Sequence, residues 1–166
     1  MDSSQPYLIL GIGNCLLSDD GVGVHAARIL EAVPPPRTTV VAVETDFLSA
    51  IPFLERCVKV LVIDAMDAGR SPGTVYHCRA EELREADPKH SLHALGLLEA
   101  LKFLDEKHRP EVHILGVQPA RTECSLQLSP DLARALPRVV HAARRIIEDF
   151  GHPDPAPQRW DMPGAR

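Results

Sequence analysis

Residues 7–33 read YLILGIGNCLLSDDGVGVHAARILEAV. The run Tyr7–Ile12 is short and apolar, as a buried strand is. A loop follows over Gly13–Ser18. Val22, Ala26, Ile29, Leu30 and Val33 then recur at helical spacing, which predicts a helix with one apolar face. Pro34, Pro35 and Pro36 stop that helix, because proline cannot continue it. The unit is therefore strand, glycine-containing turn, helix.

The alternation repeats along the chain. Thr38–Val43 is rich in β-branched residues and reads as a second strand. Ala50–Arg56 reads as a short helix. Val58–Ile63 is a third strand, ending at Asp64, and Arg70–Gly73 is a turn punctuated by proline and glycine. Thr74–Arg79 reads as a fourth strand, placed at an edge. Ser91 suits the N-cap of a helix running to about Leu104. Val112–Val117 is a fifth strand. Ser129 and Pro130 open a closing helix, with proline at its first position. Its expected buried stripe is Leu132, Leu136, Val139, Val140, Ala143 and Ile147, with a kink at Pro137. Strands alternating with helices predict an α/β fold, a mostly parallel five-stranded sheet with helices on both faces. Residues 1–150 form one domain on this reading. Residues 151–166 form a proline-rich tail that carries Trp160 and is expected to be loosely held.

The composition narrows the function classes. Aromatic residues make up only 4% of the chain, so the core must be aliphatic. The net charge of −5 argues against nucleic acid as the main partner, since phosphate binding needs a basic face. No apolar run reaches the ~18 residues of a membrane span. The opening MDSSQPYLILG lacks the basic and apolar regions of a secretion signal, so a cytoplasmic location is expected. Cys15, Cys57, Cys78 and Cys124 form no CxxC pair and match no zinc spacing. Free thiols in a reducing compartment are expected.

In open α/β sheets, ligands bind outside the carboxyl ends of the strands. Three polar residues fall there. In Ser18-Asp19-Asp20-Gly21, Asp19 or Ser18 suits the cap of the coming helix, leaving Asp20 for chemistry. The competing reading is that both acids only complement the helix N-terminus. Asp64 follows the third strand directly, with Asp67 as a rival three residues on. His93 lies in the first turn of the Ser91-capped helix, where the positive helix end favours the neutral imidazole a metal needs. Two carboxylates and an imidazole suit a borderline divalent ion such as nickel or zinc. A dinucleotide site is disfavoured, because Leu16 occupies the third glycine position of GxGxxG.

The stretch Leu8–Leu30 closely resembles the opening of the hydrogenase maturation endopeptidases, with its strand, GxGN turn and D-[DE]-G-x-G helix start. Val62-Ile63-Asp64-Ala65 and Ser71-Pro72-Gly73-Thr74 resemble that family's Asp-ended strand and following turn. Ser91-Leu92-His93-Ala94-Leu95-Gly96-Leu97 resembles its S-x-H-x-L-G-L helix start. Leu115-Gly116-Val117-Gln118-Pro119 resembles its last strand and G-[VI]-x-P exit, and Leu128-Ser129-Pro130 the start of its closing helix. The similarity runs over about residues 7–148. It implies a three-layer α/β/α sandwich with a twisted central sheet. It also implies that Asp20, Asp64 and His93 are the metal-binding and catalytic residues. The implied reaction is nickel-dependent removal of a short C-terminal peptide from a NiFe-hydrogenase large-subunit precursor, with nickel presented by that partner. The implied enzyme is an aspartic-type or metal-dependent endopeptidase.

Two segments depart from the family pattern. Glu44-Thr45-Asp46-Phe47 stands where D-G-G-T is frequent, and Ala120 where glutamate is common. The first puts substrate specificity in doubt. A non-cleaving, nickel-checking chaperone, another peptidase on the same fold and a nucleotide-binding domain are the alternatives. Cys15, beside Leu16 and Leu17, reads as packing rather than as a nucleophile.

Overall fold

The computed structural model describes residues 6–85 and 92–152. Five strands form one sheet: β1 (Tyr7–Ile12), β2 (Thr38–Glu44), β3 (Lys59–Ala65), β4 (Val75–Arg79) and β5 (Glu111–Val117). Their order is β2-β1-β3-β5-β4. All neighbours are parallel except β4, which lies antiparallel to β5 at the edge. The helices are α1 (Val22–Ala32), α2 (Ile51–Leu54), α3 (Ala80–Glu85), α4 (Leu92–Ala100) and α5 (Pro130–Phe150).

The central strands read as continuous apolar runs because both of their faces are covered. Leu8, Leu10, Ile12, Val60, Val62 and Ile114 pack on one face with Leu54, Leu97 and Leu101. Ile9, Leu61, Ile63 and Leu115 pack on the other with Leu30, Leu132, Val139 and Ile147. Thus α2 and α4 cover one face and α1 and α5 the other, which makes the three-layer α/β/α architecture.

Several boundaries differ from the sequence reading, each for a local reason. Ile29 is 46% and Val33 65% exposed. The face of α1 that meets the sheet is the i, i+3, i+4, i+7 stripe Gly23, Ala26, Ala27 and Leu30, whose small residues allow close approach. Val33 lies past the end of the helix, in a non-helical conformation. Asp64 belongs to β3 rather than following it, because Asp64 and Ala65 pair with Gly116 and Val117 of β5. A 3-10 turn over Phe47–Ala50 precedes α2. Another, Leu101–Phe103, ends α4 where one longer helix is expected. The short α3 was not foreseen. Ser129 does cap α5, its hydroxyl accepting from the Leu132 N–H at 3.3 Å. The helix runs on through Pro137. Its buried side is Leu132, Ala135, Val139, Ala143, Ile146, Ile147 and Phe150, with Leu136 and Val140 only half-buried. Ser91 and the tail with Trp160 lie outside the described residues. Among the described residues, no helix is long and apolar enough to cross a membrane.

Candidate active site

The chain leaves β1 for β2 on one side and returns to β3 on the other. The carboxyl ends of β1 and β3 therefore border the crevice where the strand order reverses, the usual ligand site of such sheets. Packing at this point is tight. A Cβ on Gly23 would collide with the carbonyl oxygens of Ile63 and Ile12, so the first turn of α1 rests directly on the ends of β1 and β3. Gly13 adopts φ +131°, and a Cβ there would strike the carbonyl oxygen of Asp20. The glycines of the quoted opening segment are thus what bring Asp20 against the end of β3.

Asp20 lies in a 3-10 turn, Ser18–Gly21, ahead of α1. Its Oδ2 accepts the Asn14 N–H at 3.1 Å. Asp64, the penultimate residue of β3, is fully buried. His93 is the second residue of α4. Its ring lies between the two acids. Nδ1 is 3.5 Å from Asp64 Oδ1, and Nε2 is 3.7 Å from Asp20 Oδ2. The three residues singled out from the sequence therefore meet, although 73 residues separate the first from the last in the chain.

The charge of His93 differs from the sequence expectation. Hydrogen bonding to Asp64 raises its pKa, burial opposes this, and the charges of Asp64 and Asp20 raise it further. The two adjacent carboxylates thus push the ring toward its protonated form, the opposite direction from the helix end. In this geometry each ring nitrogen faces a different carboxylate. Among the described residues, no group of three or more His, Cys, Asp or Glu side chains is arranged to hold a metal ion. The donor types still fit a borderline divalent ion, and metal binding to histidine displaces its proton.

Neither Ser18 nor Asp19 caps α1, whose N-cap position is Gly21. The Ser18 hydroxyl donates to the Gln127 carbonyl at 2.8 Å. Asp19 is fully buried and accepts the backbone N–H groups of Ala120, Arg121 and Ser129. Asp67 Oδ1 accepts from the Gly69 N–H and from Gln118 Nε2. Burial pushes the Cys15 thiol up, partly offset by Arg28, which disfavours a thiolate nucleophile. All four cysteines are free.

Two contributors escaped the sequence reading. Phe47, from the segment that departs from the family pattern, has its ring centroid 6.4 Å from that of His93. The same ring abuts Gly96, where a Cβ would lie 2.9 Å from it. The other is Gln118, only 5% exposed. Its Oε1 accepts from the N–H groups of Ala68 and Arg70 and from the Tyr76 hydroxyl. It thereby organises the loop that follows Asp64. A polar residue before Pro119, in a chain otherwise leaving an apolar strand, was the available signal.

This fold and centre define a doubly wound α/β protein with a carboxylate–imidazole cluster at its switch point. Residues 24–146 match the family described as hydrogenase maturation protease. The chain belongs to that family, and is by membership an endopeptidase. It is 30% identical over 151 residues to the hydrogenase expression/formation protein HupD of Rhizobium leguminosarum, covering 87% of this chain and 75% of that one. HupD of Rhodobacter capsulatus is 35% identical, with 89% and 73% covered. Among solved structures, the [NiFe] hydrogenase maturation protease HybD from Thermococcus kodakarensis superposes with TM-score 0.74 at 30% identity, covering 84% of this chain and 97% of that one. The hydrogenase maturating endopeptidase HybD from E. coli gives 0.76 at 24% identity, covering 87% and 93%, a likeness of fold.

Proposed function

We propose that this endopeptidase removes a C-terminal extension from a NiFe-hydrogenase large-subunit precursor, and that it reads nickel carried by that precursor through Asp20, Asp64 and His93. The observation that carries the reading is the meeting of these three side chains at the sheet's switch point. Asp64 is buried and fixed within a strand, while Asp20 and His93 retain partial exposure, 17% and 21% of their side chains. A substrate group entering the crevice meets those two first. The hydrogenase-directed roles in the names of the HupD and HybD relatives support the same substrate class.

The chain's own residues do the following. Asp64 orients the His93 ring through Nδ1. Asp20, anchored by the Asn14 N–H, presents its carboxylate at the mouth. A proton on His93 would lie between the two acids, and a cation bound by these residues would compete with it. A nickel ion held jointly by the precursor and these residues would polarise the scissile carbonyl or activate water. Burial raises the Cys15 thiol, which argues against that cysteine as the nucleophile.

The test mixes the purified protein with nickel-loaded and nickel-free precursor and follows the precursor's C-terminus by mass spectrometry. Loss of a peptide only from the nickel-loaded form is expected. Equal cutting of both forms removes nickel recognition and leaves the peptidase. Binding of the loaded form without cutting of either favours a checking chaperone.

A further inference from the structure

Asp19 and Asp20 are neighbours with opposite surroundings. Both lie in the 3-10 turn Ser18–Gly21, where successive side chains point about 120° apart. Ser18 enters that turn at φ +50°, a conformation L-residues seldom adopt. Asp19 is driven fully inward as a result, while Asp20 reaches the crevice.

The inward carboxylate accepts three backbone N–H groups. Asp19 Oδ2 accepts the N–H groups of Ala120 at 2.9 Å and Arg121 at 3.1 Å. Oδ1 accepts the Ser129 N–H at 2.6 Å. These donors belong to the exit of β5 and to the cap of α5, about a hundred residues away in the chain. Further bonds close the same junction: the Ser18 N–H donates to the Ser125 carbonyl at 2.8 Å, and the Ser125 N–H to the Leu16 carbonyl at 3.0 Å. A charged acceptor holding several backbone donors is a strong, directional clamp.

We infer that Asp19 is the positioning residue of the site: it pins the Ser18–Gly21 turn to the β5 exit and to α5, and so fixes where the Asp20 carboxylate stands. Its effect on cleavage rests on the function proposed above, but its effect on Asp20 does not. The Asn14 N–H bond to Asp20 Oδ2 reports the position of that carboxylate directly.

The test is Asp19→Asn, which exchanges one acceptor oxygen for a donor that must face a backbone N–H. Ala120→Pro is the second variant. It removes one of the three donors from an exposed loop position and leaves Asp19 intact. Each is measured by thermal melting, by the Asn14 amide signal and its hydrogen exchange in NMR, and by kcat on nickel-loaded precursor well below the melting temperature. A core variant of matched stability, Leu61→Val, is the control. The expected result is a shifted, faster-exchanging Asn14 amide and at least a tenfold loss of kcat in folded Asp19→Asn, smaller in Ala120→Pro, and neither in the control. If Asp19→Asn does not fold, Ala120→Pro carries the same readouts. Lower melting temperature with an unchanged Asn14 amide and unchanged kcat would overturn the inference and leave Asp19 a purely stabilising group. If the wild type cuts no precursor, the proposed function fails, and the Asn14 amide alone decides the role of Asp19.

Discussion

Acidification should unfasten the β4–β5 edge of the sheet through two histidines remote from the active site. His77 Nε2 lies 3.0 Å from His113 Nδ1, and His113 Nε2 lies 2.9 Å from Glu111 Oε1. Glu111 is also paired with Lys59 and Arg79. A carboxylate only accepts, so His113 donates from Nε2, and its Nδ1 is left to accept from His77. His113 is then neutral, and a proton added at its Nδ1 would set two donors against each other, whereas a proton added at His77 Nδ1 leaves the His77 Nε2 bond in place but puts a buried charge beside His113. Burial pushes His77 down to about 4, with the charge of His113 adding to this and Glu82 and Asp149 opposing it. His113 is also lowered, mainly by burial.

The sign follows from proton uptake. Unfolded imidazoles bind protons near pH 6.5, and the folded His77 only near 4, so in between the unfolded state holds more protons. Stability is full above about pH 6.5 and falls as the pH drops toward 4. At about 1.4 kcal/mol per unit, His77 accounts for a loss of about 3 kcal/mol. That is an upper figure, since protonating either ring blocks the other. For a domain of this size it corresponds to roughly 6–12 °C in melting temperature. His93 has the opposite slope, because its folded pKa is raised. Comparison with His77→Gln cancels that contribution, because the variant's amide can still donate to His113 but cannot titrate. Urea unfolding of both proteins from pH 7.5 to 4.5 is the assay. The variant should lose less stability by up to about 3 kcal/mol. Parallel pH profiles for the two proteins would refute the assignment.

Three further outcomes are expected. Asp20→Asn should lower cleavage by on the order of 100-fold while the melting temperature stays near wild type, since a partly exposed carboxylate is exchanged for its isostere. Normal processing by that variant would remove it from the site. Gly23→Ala should cost about 1–3 kcal/mol in a denaturant titration, because its methyl meets the Ile63 and Ile12 carbonyls. A neutral result would mean that α1 does not rest on the strand ends as described. Gln118→Leu leaves the Ala68 and Arg70 N–H groups without their acceptor. These groups are only partly buried and water can replace part of the loss, so the cost should be about 1–3 kcal/mol in total, and hydrogen exchange should rise at residues 68 and 70. Unchanged exchange there would deny Gln118 its role in the loop.

The sequence by itself determined the layers and offered candidates for the site. Strands covered on both faces must be apolar throughout, so YLILGI and the runs ending at Ile63 and Val117 are legible without coordinates. Glycine spacing in GIGN and DDGVG is legible for the same kind of reason: only a residue without a Cβ fits against the carbonyls at Ile12, Ile63 and Asp20. Asp20, Asp64 and His93 are candidates because each adjoins a strand end or helix start that such periodicity locates, with Asp67 left as a rival; it is the family resemblance that implies these three. What only the tertiary structure decided are relations between segments distant in the chain. Asp19 looks like a helix cap locally, yet its partners are Ala120, Arg121 and Ser129. His93 looks neutral from its helix position, yet two carboxylates brought by other elements raise its pKa. Local sequence carries propensity and period. The field at a buried group is set by whatever the fold brings within a few ångströms, and that depends on the whole chain.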